Sequence, residues 1–300
     1  MSHLYRYVIA LGIAAGLLLI AVVPARADVA PSHLFQQGVD AYQEHNYPQA
    51  IDTFTQVIQQ DQASSKLLAA AYGNRCLIEL ELDAYRQAIA DCTQGLKLNP
   101  VNTESYLNRG LAYYRVNDYT AAIRDYDKRL AYVSDDHRAL YNRGLANASL
   151  ERYDQALKDY SRSIGVSREL PDKRMAEIHF DRGLAYLKLE QYNSAASDFS
   201  QAIAHDNLNT EAYVNRAYAA HALGDNKMAL RDLDQVLALN PAHAKAHFNL
   251  GMLHCDQGHL TGAIANFEQA ARHFFAQNSM EDYRQVMTIL HQLQPASALA

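Results

Sequence analysis

The sequence predicts an all-α array of about seven consecutive helical repeats followed by one terminal helix, and three observations predict it. Ala50, Ala88, Ala122, Ala156, Ala195, Ala229 and Ala263 stand at intervals of 38, 34, 34, 39, 34 and 34 residues. A fixed period of this size is the mark of stacked repeats rather than of one compact core. The surrounding text recurs as well: YLNRGLAYYRVNDYTAAIRDY from Tyr106, LYNRGLANASLERYDQALKDY from Leu140 and HFDRGLAYLKLEQYNSAASDF from His179. Asn99-Pro100 and Asn240-Pro241 end helices at matching places in two repeats, because the residue before proline is pushed out of the α region.

Residues 1–27 precede the array. They hold Arg6 and no acidic residue, then an apolar run from Val8 to Val23, then Pro24-Ala25-Arg26-Ala27. A basic start, an apolar middle and a small-x-small site predict a signal peptide cut before Asp28, and hence an exported chain in a periplasm or equivalent lumenal compartment. The alternative is an uncleaved N-terminal anchor, since the run is long enough to span a bilayer. No later stretch is apolar for that length. Loss of Arg6 and Arg26 leaves 25 basic residues against 33 acidic ones, a net charge of −8. Nucleic-acid binding needs a basic stripe to displace counterions from the backbone, so that class is excluded.

The repeats follow at 31–64, 69–102, 103–136, 137–170, 176–209, 210–243 and 244–277, with Ser65 to Leu68 and Pro171 to Met175 expected as longer linkers between them. Numbered within the repeat, small residues recur at the eighth position (Gly38, Cys76, Gly110, Gly144, Gly183, Ala217, Gly251). Alanine recurs at the twentieth. A bulky side chain recurs at the twenty-fourth (Phe54, Tyr126, Tyr160, Phe199, Leu233, Phe267). This pattern resembles the tetratricopeptide repeat (TPR) family, in its exported bacterial form, over residues 31–277. The resemblance implies a right-handed α-solenoid of antiparallel helical hairpins. Small residues at position eight would let the two helices close up against the alanine at twenty, with the side chain at twenty-four filling the space beside them. Residues 278–294 place Tyr283, Val286, Met287, Leu290 and Leu293 at helical spacing after Ser279, a capping helix for the last repeat.

Arg75, Arg109, Arg143, Arg182 and Arg216 occupy the seventh position of five repeats, and Asp91, Asp125, Asp159, Asp198 and Asp232 follow sixteen residues later in the same five. The first repeat has Gln37 and Thr53, and the last has Leu250 and Asn266. Residues that appear and vanish together predict an ion pair tying each hairpin.

The resemblance places function on the concave face, lined by the first helix of every hairpin. Asn74, Asn108, Asn142, Asn215 and Asn249 stand at the sixth position, with Gln36 and Asp181 departing from the series. A primary amide both donates and accepts, as a peptide backbone does. The series resembles the asparagine ladder with which a TPR superhelix holds extended polypeptide. Positions five and nine add apolar and aromatic residues, Tyr141 and Tyr218 among them, as an apolar groove wall of the kind found in protein interfaces. They argue against the Lys and Asn with which chaperone-binding members grip a terminal carboxylate. The expected partner is therefore another protein or an extended peptide, and the expected role that of a non-catalytic scaffold or assembly factor.

Cys76 and Cys92 occupy positions eight and twenty-four of the second repeat, which predicts either a disulfide or two buried thiols, and leaves Cys255 over. Histidines gather late in the chain, and His243, His247, His254 and Cys255 are weak metal candidates without tight ligand spacing. A metal-binding carrier or assembly chaperone using these repeats is the alternative function. No phosphate loop, nucleophile elbow or HExxH pair is present, so neither an enzyme nor a cofactor is expected.

Overall fold

The computed structural model describes residues 30–167 and 171–297, and the signal peptide expected at 1–27 lies outside them. The chain forms the expected right-handed α-solenoid. Its hairpins are α1 (Pro31–Gln43) with α2 (Tyr47–Ile58), α3 (Ser65–Glu81) with α4 (Tyr85–Leu98), α5 (Thr103–Arg115) with α6 (Tyr119–Tyr132), and α7 (His137–Ser149) with α8 (Tyr153–Val166). They continue with α9 (Asp172–Lys188) and α10 (Tyr192–His205), α11 (Thr210–Ala222) and α12 (Asn226–Leu239), and α13 (Ala244–Asp256) and α14 (Leu260–Ala276). A single helix, α15 (Met280–Ser297), packs on α14 and closes the end.

Local sequence explains the punctuation. Many helices start beneath a side-chain cap: Asn46 accepts from the Gln49 N–H, Asn102 from Ser105, Asp118 from Ala121 and Asp225 from Met228. Helices α4 and α12 stop at Asn99 and Asn240, each followed by proline. Within each hairpin the chain reverses through one residue of positive φ: His45, Asp83, Asn117, Glu151, Glu190, Gly224 and Gly258 in turn. The next N–H then returns to a carbonyl five residues back, as Asp118 does to Tyr113 at 2.9 Å and Asp225 to Ala220 at 2.9 Å. This helix-ending bond explains why a turn that favours glycine tolerates His, Asn, Asp or Glu here.

The two inserted pieces are not linkers. Residues 65–68 and 172–175 lengthen α3 and α9 to 17 residues each, against 13 in α5, α7, α11 and α13. Ser64 caps the first insert by accepting from the Leu67 N–H, and the Lys-Leu-Leu-Ala-Ala-Ala run after it consists of strong helix formers.

Consecutive first helices touch along the array, α1 with α3, α3 with α5, and so on to α11 with α13, whereas second helices make no comparable contact with one another. The stack therefore bends with the first helices on its inner side.

The hairpin core also departs from expectation in one respect. The small residue at position eight meets the side chain at twenty-four directly. A Cβ placed on Gly38, Gly110, Gly183 or Gly251 would lie 2.8, 2.7, 2.7 and 2.7 Å from a ring carbon of Phe54, Tyr126, Phe199 and Phe267. Alanines Ala50, Ala88, Ala122 and Ala156 are fully buried but are not the atoms that exclude bulk at position eight.

All five Arg–Asp pairs form, each bidentate. Arg109 donates from Nε and Nη2 to Asp125 at 2.7 and 2.8 Å, and Arg182 to Asp198 at 2.7 and 2.7 Å. Every guanidinium also reaches back to the second helix of the preceding repeat: Arg75 to Thr55, Arg109 to Thr93, Arg143 to Asp127, Arg182 to Ser161 and Arg216 to Ser200, at 2.5 to 3.0 Å. Each arginine thus stitches three helices and two repeats. The series stops at repeat seven, where Leu250 enters an apolar cluster with Val214 and Leu253 instead.

Candidate functional site

The inner helices carry the sixth-position residues in sequence: Asn74 on α3, Asn108 on α5, Asn142 on α7, Asp181 on α9, Asn215 on α11 and Asn249 on α13. All six are half-buried. Among the described residues, the side-chain amides of Asn74, Asn108, Asn142 and Asn249 have no hydrogen-bond partner within the chain. Asn215 differs, because its Nδ2 donates to the Glu211 carbonyl at 2.8 Å. Four partly desolvated amides are thus left with donors and acceptors to satisfy, an arrangement that favours a ligand with both.

At the C-terminal end the inner surface deepens into a cavity of about 490 Å³, within the usual range for ligand sites. Leu184, Val214, Tyr218, Phe248 and Phe274 make its apolar walls, Asn215 and Asn249 contribute amides, and Lys188, Lys245, Asp282 and Gln285 stand at its polar positions. A smaller hollow of about 170 Å³ continues past Tyr218 and Asn249 toward Met252 and His221. Tyr218 is 51% exposed and is shared by both. Sequence reasoning reached Asn215, Asn249 and Tyr218 but missed Phe274, Asp282 and Gln285, which come from α14 and α15 and belong to no repeated position of the inner face.

Tyr141 is placed differently from Tyr218. Its ring is half-buried against Tyr160 with centroids 6.0 Å apart, and its hydroxyl donates to Asp181 Oδ2 at 2.6 Å, joining α7 to α9. Burial raises the Asp181 carboxyl to about 6, Glu177 adds to the rise, and the Tyr141 hydrogen bond opposes it. Tyr141 itself is raised above the usual phenol range, first by burial and then by the Asp181 charge.

The late histidines do not converge. His243 caps α13 through Nδ1 and reaches Glu211 at 3.5 Å, His247 sits between Asn266 and the Pro241 carbonyl, and His254 contacts Asn266. Cys255 is half-buried, its thiol raised by burial and by Asp256. Among the described residues no three His, Cys, Asp or Glu side chains gather around one point, so the weak metal candidates share no site. Cys76 and Cys92 are joined across the second hairpin with their Cα atoms 5.5 Å apart, both fully buried.

The sequence profile of the tetratricopeptide repeat matches residues 77–132, 135–207 and 222–279, together more than half of the chain. Among curated proteins, 70 residues are 37% identical to serine/threonine-protein phosphatase T of Aspergillus oryzae, covering 23% of this chain and 14% of that protein. The chain spans about a quarter or less of the length of the curated relatives it matches. Among solved structures, a tetratricopeptide repeat protein from Parabacteroides merdae superposes with a TM-score of 0.60 at 19% identity, over 86% of this chain and 98% of that one. YrrB, described as a TPR protein with an unusual peptide-binding site, superposes with a TM-score of 0.56 at 21% identity, over 64% and 95%. At these identities the structural likeness concerns the fold.

Proposed function

The chain belongs to the tetratricopeptide repeat family, whose members mediate protein–protein interactions, and we infer that its concave face holds an extended segment of another polypeptide. On this reading the protein is a non-catalytic scaffold or assembly factor. The observation that carries it is the run of half-buried, unpartnered amides of Asn74, Asn108, Asn142 and Asn249 on successive inner helices. An extended backbone offers N–H and C=O groups in alternation, and a row of amides satisfies both without reading side chains. The cavity walled by Tyr218, Phe248 and Phe274 then supplies the apolar anchor that such weakly discriminating bonds need.

The site of action that fits the N-terminal sequence is an exported compartment. That placement rests on Arg6, the apolar run and Ala25-Arg26-Ala27. No helix among the described residues is long and apolar enough to cross a membrane.

The test is a crosslinking pull-down from the envelope fraction with the native protein and with a variant carrying Asn108→Ala, Asn142→Ala and Asn249→Ala, both shown to be helical by circular dichroism. Partners lost with the variant place binding on the ladder. Partners retained unchanged would remove the asparagines from the binding site.

A further inference from the structure

Asp181 stands where the neighbouring inner helices carry asparagine, and the fifth repeat is built differently around it. Its Oδ2 accepts from the Tyr141 hydroxyl at 2.6 Å, and among the described residues no lysine, arginine or histidine pairs with it. Three other acids on the inner helices are matched with cations: Glu104 with Arg129 and Arg138, Glu177 with Arg174, Glu211 with His243 and Lys245. The added turn of α9 brings Arg174 over the Tyr141 ring, 5.9 Å from its centroid, yet commits that guanidinium to Glu177 at 2.7 Å. Asp181 is left half-buried with one neutral donor.

A carboxylate in that setting is costly as an anion until a cation arrives: burial, with the Glu177 charge added, raises its titration to about 6, and the Tyr141 hydrogen bond offsets only part of the rise. An asparagine, the residue at this position in both flanking repeats, would serve a peptide backbone equally well. What the carboxylate adds is preference for a positively charged donor, whose hydrogen bond to an anion is about twice as strong as a neutral one.

We propose that the polypeptide segment held in the groove presents a lysine or arginine side chain to Asp181, which fixes its register along the asparagine ladder. This rests on the groove-binding reading and adds the charge of the ligand to it. Asp181 is an interior charge among neutral rungs, so a basic side chain placed against any other rung leaves the carboxylate unmatched and is disfavoured.

The experiment probes an array of short synthetic peptides with the purified native protein, with Asp181→Asn, and with the triple Asn108→Ala, Asn142→Ala, Asn249→Ala variant. Asp181→Asn installs the residue that the same position carries in five other repeats, so the fold is retained, and circular dichroism checks it. The expected result is that peptides bound by the native protein share a basic residue whose change to glutamine weakens binding about tenfold or more. The same change is without effect in Asp181→Asn, and the triple variant loses peptides of every kind. A native protein without basic preference, or a preference that survives Asp181→Asn, overturns the assignment of Asp181 while a defective triple variant leaves the groove reading intact. Binding unaltered in the triple variant, or no bound peptide at all, overturns both.

Discussion

A Cβ placed on Gly144 would lie 2.6 Å from Cε1 of Tyr160, a ring that is itself buried to within 1% of its surface. The same relation links positions eight and twenty-four in every hairpin and changes in step with size: glycine faces an aromatic ring in five repeats, Ala217 faces Leu233 in the sixth, and Cys76 is bonded to Cys92 in the second.

Gly144→Ala therefore destabilises the protein by about 1–3 kcal/mol, the usual result of overpacking, although alanine is the better helix former by about 1 kcal/mol. Adding Tyr160→Leu recreates the pair found in repeat six and recovers most of the loss. Chemical denaturation of the single and double variants measures both. A Gly144→Ala protein as stable as the native one would show that the ring has room to move.

Arg143 and Asp159 predict an asymmetry of another kind. Their side chains are 19% and 6% exposed, and Arg143 is also bonded to Asp127 of the preceding repeat. Asp159→Ala leaves a largely buried guanidinium with only its Asp127 contact and lowers stability by about 3 kcal/mol, the low end for a buried pair because that contact and an edge in water remain. Arg143→Met with Asp159→Leu removes both charges and loses far less. Equal losses in the single and double variants would sink this account.

What periodicity could reveal, it did. The repeat register, the Arg–Asp pairs and the end of the arginine series at Leu250 all follow from residues that recur or fail to recur at one spacing. The third leg of each arginine was present in the same pattern, as Thr55, Thr93, Asp127, Ser161 and Ser200 at position twenty-five of the repeat before, but it joins different repeats and only the stacked geometry shows the contact. The inserts at 65–68 and 172–175 were misplaced because the interval between alanines counts extra residues without saying whether they are loop or helix. The bond from Tyr141 to Asp181 spans 40 residues, and the cavity wall contributed by Phe274, Asp282 and Gln285 depends on how α15 closes the stack, so neither had a local signal.

Cys76 and Cys92 are 16 residues apart, and a crosslink closing a loop of about that length contributes on the order of 3 kcal/mol. Reductant is expected to lower the Tm of the native protein, and to leave unchanged that of a Cys76→Ala, Cys92→Leu variant, which carries the repeat-six pair. Mass spectrometry of protein taken from cells under non-reducing conditions is expected to give the bridged mass. Recovery of two free thiols would argue for a reducing compartment and against export.

Glu79 gives the sharpest dependence on pH. It is 9% exposed, its Oε2 has no partner among the described residues, and burial together with the nearby Asp91 charge raises it from 4.5 to about 7 despite Arg75. Between those values the folded chain retains a proton that the unfolded chain has released. Stability accordingly falls as pH rises from about 4.5 to about 7, with the full penalty present above that window. Repeat four shows the remedy at the corresponding position, where Asn147 donates from Nδ2 to Asp159 Oδ2 at 3.2 Å. Glu79→Gln supplies a neutral side chain with the same kind of donor beside Asp91. The variant is expected to match the native protein near pH 4 and to exceed it above pH 7 by at most about 3 kcal/mol. Reading the difference between the two proteins across pH removes the slope of the same sign that Asp181 adds to both. A difference that stays constant from pH 4 to pH 8 would mean that Glu79 titrates as it does in the unfolded chain, and that its buried oxygen has found a partner.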